Sequence, residues 1–238
     1  MTSATARKPR AKSAKTAVPS PKPAAFETLA DVIAAAGGVP PEWIICHPVP
    51  GTATEADVVA LDGQDMTCEL VNGILIREPM GNSDDRVAAI IHTLIGTFVL
   101  KHNLGVIGGA QALLRLRPGL VRLPDFCFTP WDLIADEDEE DAFQDAPPAL
   151  VVEVLSPSNT ASAMARKLGD YATAGVKLAW YVNPRRQEVD VYVAAELKSK
   201  KTLTMADTLS GGKVLPGFKL PVKTIFEDRR PAKPKRKA

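Results

Sequence analysis

An acid inside an apolar run constrains the fold of this chain more than any other feature of the sequence. The run from Leu150 to Leu155 contains five aliphatic residues and Glu153, and Pro157 follows it, so it predicts a buried strand. A carboxylate in such a strand is costly to bury unless it is paired, hydrogen-bonded or bound to a metal. Glu153 therefore indicates either a functional site or a buried ion pair.

A second acid stands at a comparable position. Asp125 follows Leu123 and Pro124 and precedes the apolar residues 126–128. Two acids on separate strands can converge on one hard cation, and Mg²⁺ is usually held by one or two carboxylates together with phosphate oxygens. Such an ion polarises a phosphate and lowers the pKa of a bound water, and a nearby lysine would neutralise developing charge. The spacing leaves an alternative open, in which Asp125 caps a turn after Pro124 and Glu153 pairs with a structural arginine.

The order of the predicted elements indicates the fold class. Asn72-Gly73 separates two short apolar runs and supplies the two positive-φ positions of a type I′ hairpin turn. Helix, hairpin, helix, several strands, helix and hairpin follow one another, which predicts an α/β (α+β) mixed sheet rather than strict βαβ alternation. The predicted helices are 26–36, 54–61, 83–102 (capped by Ser83) and 160–174 (closed by Gly175), and the predicted strands are 68–71, 74–77, 106–107, 112–116, 121–128, 150–155, 177–182 and 188–193, with short strands over 201–226 and a linker or irregular strand over 37–52.

Basic residues are concentrated at the two ends of the chain. Residues 1–25 carry six and residues 229–238 carry another six, with no acid in either segment. These twelve leave 17 of the 29 basic residues in the body against all 28 acidic residues, a net charge of −11. Composition and patterning predict a disordered basic tail over 1–25, an N-terminal helix and linker over 26–53, one domain over 54–226 and a basic tail over 227–238. The acidic loop 132–145, in which residues 137–141 belong to an unbroken run of acids, is expected to be solvated.

The cysteines and the hydropathy of the sequence indicate where in the cell the protein is expected to be located. The three cysteines lack C-x-x-C spacing, and Cys68 and Cys127 lie in apolar stretches, which predicts free buried thiols in a reduced cytoplasm. No stretch of the sequence approaches about 18 consecutive apolar residues, so no membrane span is predicted. The start of the chain lacks the apolar region of a secretory signal. A cytoplasmic location is therefore expected.

Five motifs resemble a known nuclease family. They are ELVNG at 69–73, LPDFCF at 123–128, LVVEVLSPS at 150–158, KLGDYATAGV at 167–176 and WYVNP at 180–184. In this order they resemble the Uma-two family of restriction-type endonucleases, within the PD-(D/E)XK superfamily, over about residues 54–226. The resemblance implies a restriction-endonuclease-like mixed sheet flanked by helices, Mg²⁺ (or Mn²⁺) as cofactor, and phosphodiester hydrolysis on DNA. It implies that Asp125 and Glu153 are metal ligands, that Lys167 is the catalytic lysine, and that Glu69 is an accessory acid.

The sequence departs from the family pattern at several positions. The superfamily spacing puts a lysine two residues after the second acid, where this chain has Leu155, so Lys167 on the following helix must supply the amine. Its amine is expected to face the second acid or solvent. Ala163 stands where family members often carry an acid, and Asp84 and Asp85 stand where they often carry a histidine. Two other hypotheses stay open: an inactive nuclease-fold module that binds DNA or another partner, and a structural or regulatory oligomer, with a homodimer compatible with each.

Overall fold

The computed structural model describes residues 25–64, 66–77, 82–134, 142–193 and 199–227 of the chain. The two predicted tails fall almost wholly outside these ranges, as does the acid run 137–141. None of the helices in the described ranges is both long and apolar enough to cross a bilayer. Among the described residues, Cys68 and Cys127 are free and buried, as their apolar surroundings predict.

Helices and strands alternate in a mixed order, which confirms the predicted α/β (α+β) class. The helices are α1 (Leu29–Ala35), α2 (Glu55–Asp62), α3 (Asn82–Lys101), α4 (Ala161–Thr173) and α5 (Lys223–Phe226). The strands are β1 (Ile44–Ile45), β2 (Glu69–Val71), β3 (Ile74–Ile76), β4 (Gly105–Gly109), β5 (Leu114–Arg117), β6 (Leu120–Arg122), β7 (Phe126–Pro130), β8 (Leu150–Val154), β9 (Leu178–Asn183), β10 (Glu188–Val193), β11 (Ser199–Leu203), β12 (Thr208–Ser210) and β13 (Lys219–Pro221).

Most of these strands belong to two sheets. Within the described residues, the larger sheet has the order β11-β10-β9-β8-β7-β4, and β8 with β9 is its one parallel pair. The smaller sheet has the order β1-β3-β2-β6-β5 and is antiparallel throughout the described part. Strands β12 and β13 pair separately.

Helices α3 and α4 cover opposite faces of the larger sheet. Successive side chains of a strand point to opposite faces. Along β8, Val152 packs in one cluster with Ile95 of α3, whereas Val151 packs in another with Tyr171 of α4. Glu153 follows Val152 and therefore points to the α4 face.

Helix α4 also contacts the smaller sheet. Ala163 in its first turn packs in a cluster with Val71 of β2 and Leu120 of β6. Val32 of α1 and Trp43 belong to the same cluster, and β1 extends the smaller sheet beyond β3. Residues from both sheets therefore reach α4, which lies between them.

Local sequence signals account for a turn and for both ends of α4. Asn72 and Gly73 have φ values of 52° and 74°, as a type I′ turn requires. The Thr160 side chain caps α4 by accepting a hydrogen bond from the backbone N–H of Ala163. Gly175, with φ of 90°, follows the end of α4 and allows the chain to reverse into β9.

Three predictions about elements are wrong. The predicted strand 121–128 is divided between two sheets, because the chain breaks around Pro124, which has no N–H to donate to a ladder. The long helix begins at Asn82, so Ser83 lies inside it and is not its cap. Part of 201–226 forms the helix α5, whose single turn is too short to show a helical period.

Candidate functional site

Asp125 directly precedes β7, and Glu153 lies near the end of the neighbouring strand β8. The antiparallel register pairs Phe126 with Val152, so a continuation of this register by one residue would bring Asp125 opposite Glu153. Directly opposite residues have Cβ atoms roughly 5 Å apart on the same face of a sheet. The Val154 N–H donates a hydrogen bond of 2.6 Å to Asp125 Oδ2, which holds this carboxylate against the end of β8. Glu153 is buried, whereas Asp125 is only half-buried, so the site opens to solvent on the Asp125 side.

The Lys167 amine lies between two carboxylates that come from different sheets. Lys167 Nζ is 3.1 Å from Glu69 Oε1 and 3.4 Å from Glu153 Oε2. The residue is 5% exposed although it carries a charge, so it is not a solvated surface lysine. Of the two surroundings expected for this amine, Glu153 or solvent, the structure has Glu153, with Glu69 beside it.

Glu69 is held by the smaller sheet. Strands β2 and β6 pair Leu70 with Val121, so Glu69 faces Arg122 one step along the register. Arg122 Nη1 donates to Glu69 Oε2 at 2.5 Å, and the Leu123 N–H donates to Glu69 Oε1 at 3.2 Å. Burial raises the pKa of Glu69, but the charges of Lys167 and Arg122 and these hydrogen bonds outweigh it, so the pKa lies below its usual 4.5.

Tyr171 fixes the other oxygen of Glu153. Its hydroxyl donates a hydrogen bond of 2.5 Å to Glu153 Oε1, and the side chain is fully buried. Burial, followed by the negative charges of Glu153 and Glu69, raises the pKa of Tyr171 well above its usual 10. The phenol therefore stays protonated and acts as a donor at all ordinary pH values.

Three of the four residues singled out from the sequence, Glu69, Glu153 and Lys167, thus form one connected group with Lys167 as its centre, and Asp125 is held next to Glu153 by the Val154 N–H. Glu153 contacts Lys167 and Tyr171, and the buried arginine Arg122 pairs with Glu69. Sequence reasoning missed Arg122 and Asp170 as members of the site. The signal for Arg122 was present, since it interrupts the apolar run 120–123 as Glu153 interrupts its own. Asp170 carried no such signal, because an acid on an amphipathic helix is ordinary.

The donor set limits how a metal could be held. Among the described residues, no group of three or more histidine, cysteine, aspartate or glutamate side chains is arranged to hold a metal ion. Glu69 is engaged with two cations, which leaves Asp125 and Glu153 as the facing carboxylates. Two carboxylates fit Mg²⁺ when substrate oxygens and waters complete the coordination. The residues present therefore fit a hard divalent cation bound together with a phosphate.

One protein-family model matches most of the chain. The Uma2 family, described as "Putative restriction endonuclease", matches residues 55–223. The chain belongs to the Uma2 family. All the residues of the site described above lie within the matched segment, and α1 and β1 precede it.

A solved structure shares the fold of this Uma2 chain. It is described as a "putative nuclease belonging to DUF820 from Anabaena variabilis ATCC 29413", with a TM-score of 0.59 and 17% sequence identity. The match covers 68% of the Uma2 chain and 90% of that structure, so the nuclease-like fold expected from the motifs is confirmed. A comparison with curated proteins gives no match.

Proposed function

We propose that this Uma2 chain is a divalent-metal-dependent nuclease that hydrolyses phosphodiester bonds in DNA. Asp125 and Glu153 carry the proposal, because Asp125 directly precedes β7, Glu153 lies near the end of the neighbouring strand β8, and Glu153 contacts a buried lysine amine. Membership in a family described as restriction endonucleases supports a nuclease in general terms. The finer assignments, namely the metal, the substrate and the role of each residue, belong to the proposal.

Each residue then has a defined task. Asp125 and Glu153 would hold Mg²⁺ or Mn²⁺, which when bound polarises the scissile phosphate and lowers the pKa of a water. The Lys167 ammonium donates hydrogen bonds beside Glu153, where it can orient the attacking water and neutralise charge that develops on the phosphate. Tyr171 holds the Glu153 carboxylate in one orientation, so the facing oxygens are positioned before substrate arrives. The phosphate would approach from the side of Asp125, the member of the pair that is partly exposed.

Cleavage of DNA by a charge-neutral, shape-conserving variant tests the proposal. In Asp125→Asn the amide oxygen can still accept the Val154 N–H, so the fold should persist while the negative charge is lost. We expect the wild type to cleave duplex DNA with Mg²⁺ or Mn²⁺ and not with EDTA, and Asp125→Asn to be at least ~100-fold slower, about 2.7 kcal/mol of transition-state stabilisation. The matched control is Asp190→Asn, which removes a strand-borne aspartate paired with Lys200 and should cleave at the wild-type rate.

One observation favours a second function, an inactive module that binds DNA. The positive charges of Lys167 and Arg122 lie against Glu69 and Glu153 and offset part of the negative charge that would attract a metal. The same experiment separates the two functions. If the protein is an inactive module, the wild type and Asp125→Asn should bind DNA equally well and neither should cleave it. Cleavage that persists in EDTA would instead refute the assignment as a metal-dependent nuclease.

A further inference from the structure

Lys167 needs an explicit means of orientation. A lysine side chain is flexible and carries roughly 2 kcal/mol of rotamer entropy, so burial alone does not fix its amine. Leu155 occupies the strand position where the superfamily pattern has its lysine, so the amine arrives from a helix instead. The carboxylate of Glu69 contacts this amine at 3.1 Å, closer than Glu153 does at 3.4 Å. The orientation of Lys167 therefore depends on what fixes Glu69.

Arg122 fixes Glu69 from the smaller sheet. The Arg122 side chain is 2% exposed, and its Nη1 donates to Glu69 Oε2. The 3.1 Å contact of Lys167 Nζ is with the other oxygen of this carboxylate, Oε1. The two cations thus bind opposite oxygens of one carboxylate. Rotation of that carboxylate would weaken both contacts at once.

The same arginine is tied back to the helix that carries the lysine. Arg122 Nε and Nη2 both donate to Asp170 Oδ2, at 3.1 and 2.5 Å. Asp170 stands three residues after Lys167 on α4, so the two side chains share a face of the helix. Asp170 Oδ1 is also 3.6 Å from Arg166 Nε. A closed path therefore runs from Lys167 through Glu69, Arg122 and Asp170 back to α4.

We propose that Arg122, anchored by Asp170, is a positioning residue that holds the Lys167 amine beside Glu153 through Glu69. The inference rests on the proposed function for its purpose, because orientation of the amine matters only if the amine acts on a substrate. Stability gives no sufficient reason for this arrangement, since buried ion pairs are often replaced by apolar residues without loss of stability. An arginine fork that bridges two carboxylates imposes a geometry that a point charge cannot impose.

The test uses Arg122→Lys in the full-length chain. Lysine retains the buried positive charge and loses the fork, so it cannot bridge Glu69 and Asp170 with the same geometry. The first measurement is labelling of amines with acetic anhydride, without DNA or metal, followed by peptide mass spectrometry with the exposed Lys101 as internal reference. We expect labelling of Lys167 to rise at least about fivefold. The second is DNA cleavage in Mg²⁺, in which kcat should fall by roughly tenfold while KM stays unchanged.

Arg115→Lys is the matched control. Arg115 also bridges two carboxylates, those of Glu55 and Asp145, but it lies in a separate ion-pair group. We expect this variant to leave the labelling of Lys167 and the rate of cleavage at wild-type values. An equal rise of Lys167 labelling in both variants would overturn the inference, because it would show general loosening.

Several outcomes decide the inference separately from the proposed function. Wild-type labelling of Lys167 together with a wild-type kcat in Arg122→Lys would overturn it, whatever the change in melting temperature. If Arg122→Lys fails to fold, Asp170→Ala replaces it, because that variant removes the anchor of Arg122 and leaves the contact of Arg122 with Glu69 in place. Labelling of Lys167 that does not rise in Asp170→Ala would overturn the inference as well. If wild-type protein cleaves no DNA, the proposed function fails, while the labelling still shows whether Arg122 orients the amine.

Discussion

Replacement of Lys167 by methionine should destabilise the fold by an amount that the structure allows to be estimated. Methionine fills most of the volume of the lysine stem, so the main loss is the charge between Glu69 and Glu153. Removal of one partner from a buried ion pair costs roughly 3–5 kcal/mol. Because Glu69 keeps Arg122 and Glu153 keeps Tyr171, we expect the low end, about 3 kcal/mol. For a chain of this size that corresponds to a fall in Tm of roughly 6–12 °C.

The loss should depend on pH in a defined direction. In the wild type the folded-state pKa of Glu69 lies below its usual 4.5, so Glu69 contributes stability above that pH and loses it as the pH falls through the folded pKa. In Lys167→Met, burial continues to raise the pKa of Glu69, while the largest opposing charge is gone. The folded-state pKa of Glu69 should therefore be higher in the variant than in the wild type, so the ionised carboxylate stabilises the variant less. The difference in unfolding free energy between wild type and variant should therefore be largest near neutral pH and should narrow as the pH falls towards 4.5.

Urea unfolding followed by tryptophan fluorescence, at pH 7.5 and at pH 5, measures both effects. The control is Lys101→Met, an exposed lysine at the end of α3, for which we expect a change within about 0.5 kcal/mol. Equal stability of Lys167→Met and wild type at pH 7.5 would refute the reasoning. So would a difference that grows as the pH falls, because the sign of the proton linkage would then be reversed.

Three further changes have expected outcomes. Tyr171→Phe removes a donor to the Glu153 carboxylate and should lower the unfolding free energy by roughly 1.5–3 kcal/mol. The control Tyr181→Phe removes a donor to a backbone carbonyl and should lower it by only about 1 kcal/mol. Equal losses of the two variants in urea unfolding would contradict this expectation. Gly73→Ala should lower the unfolding free energy by at least about 1 kcal/mol more than Gly217→Ala does. Both glycines have φ near 80°, but an added Cβ at Gly73 would meet backbone atoms at 2.5 Å, whereas one at Gly217 would meet nothing within 4 Å. About six phosphate contacts give a plot of log K against log salt concentration with a slope of roughly −5. Deletion of both basic tails should weaken DNA binding and make this slope less steep. An unchanged slope would assign DNA binding to the body of the chain.

The sequence predicted those parts of the site whose signals are local. Glu153 was visible because a charge inside an aliphatic run is costly wherever the strand packs. The start and end of α4, and with them the place of Lys167 on a helix face, followed from Thr160 and Gly175. These signals depend on backbone chemistry within a few residues and need no knowledge of the partner strands.

The parts that were missed depend on partners distant in the chain. Residues 121–128 all read as extended, and nothing in their periodicity shows that Arg122 ends a strand of one sheet and Phe126 begins a strand of the other. The partner of Arg122 is Glu69, 53 residues away, and a single sequence contains no measure of that proximity. The sequence likewise gives no indication that the hydroxyl of Tyr171 reaches Glu153, 18 residues away.

The position of the lysine on α4 explains why both sheets are needed at the site. Leu155 directly follows β8 and packs against the cluster that contains Tyr171, so α4 covers the position usual for the lysine. A lysine on β8 would have been fixed by the same strand as its carboxylate. An amine from α4 reaches Glu153 only if the position of the helix relative to both sheets is fixed. Arg122 meets that requirement, because it joins β6 of the smaller sheet to Asp170 of α4, and its contact with Glu69 transmits the same constraint to the Lys167 amine.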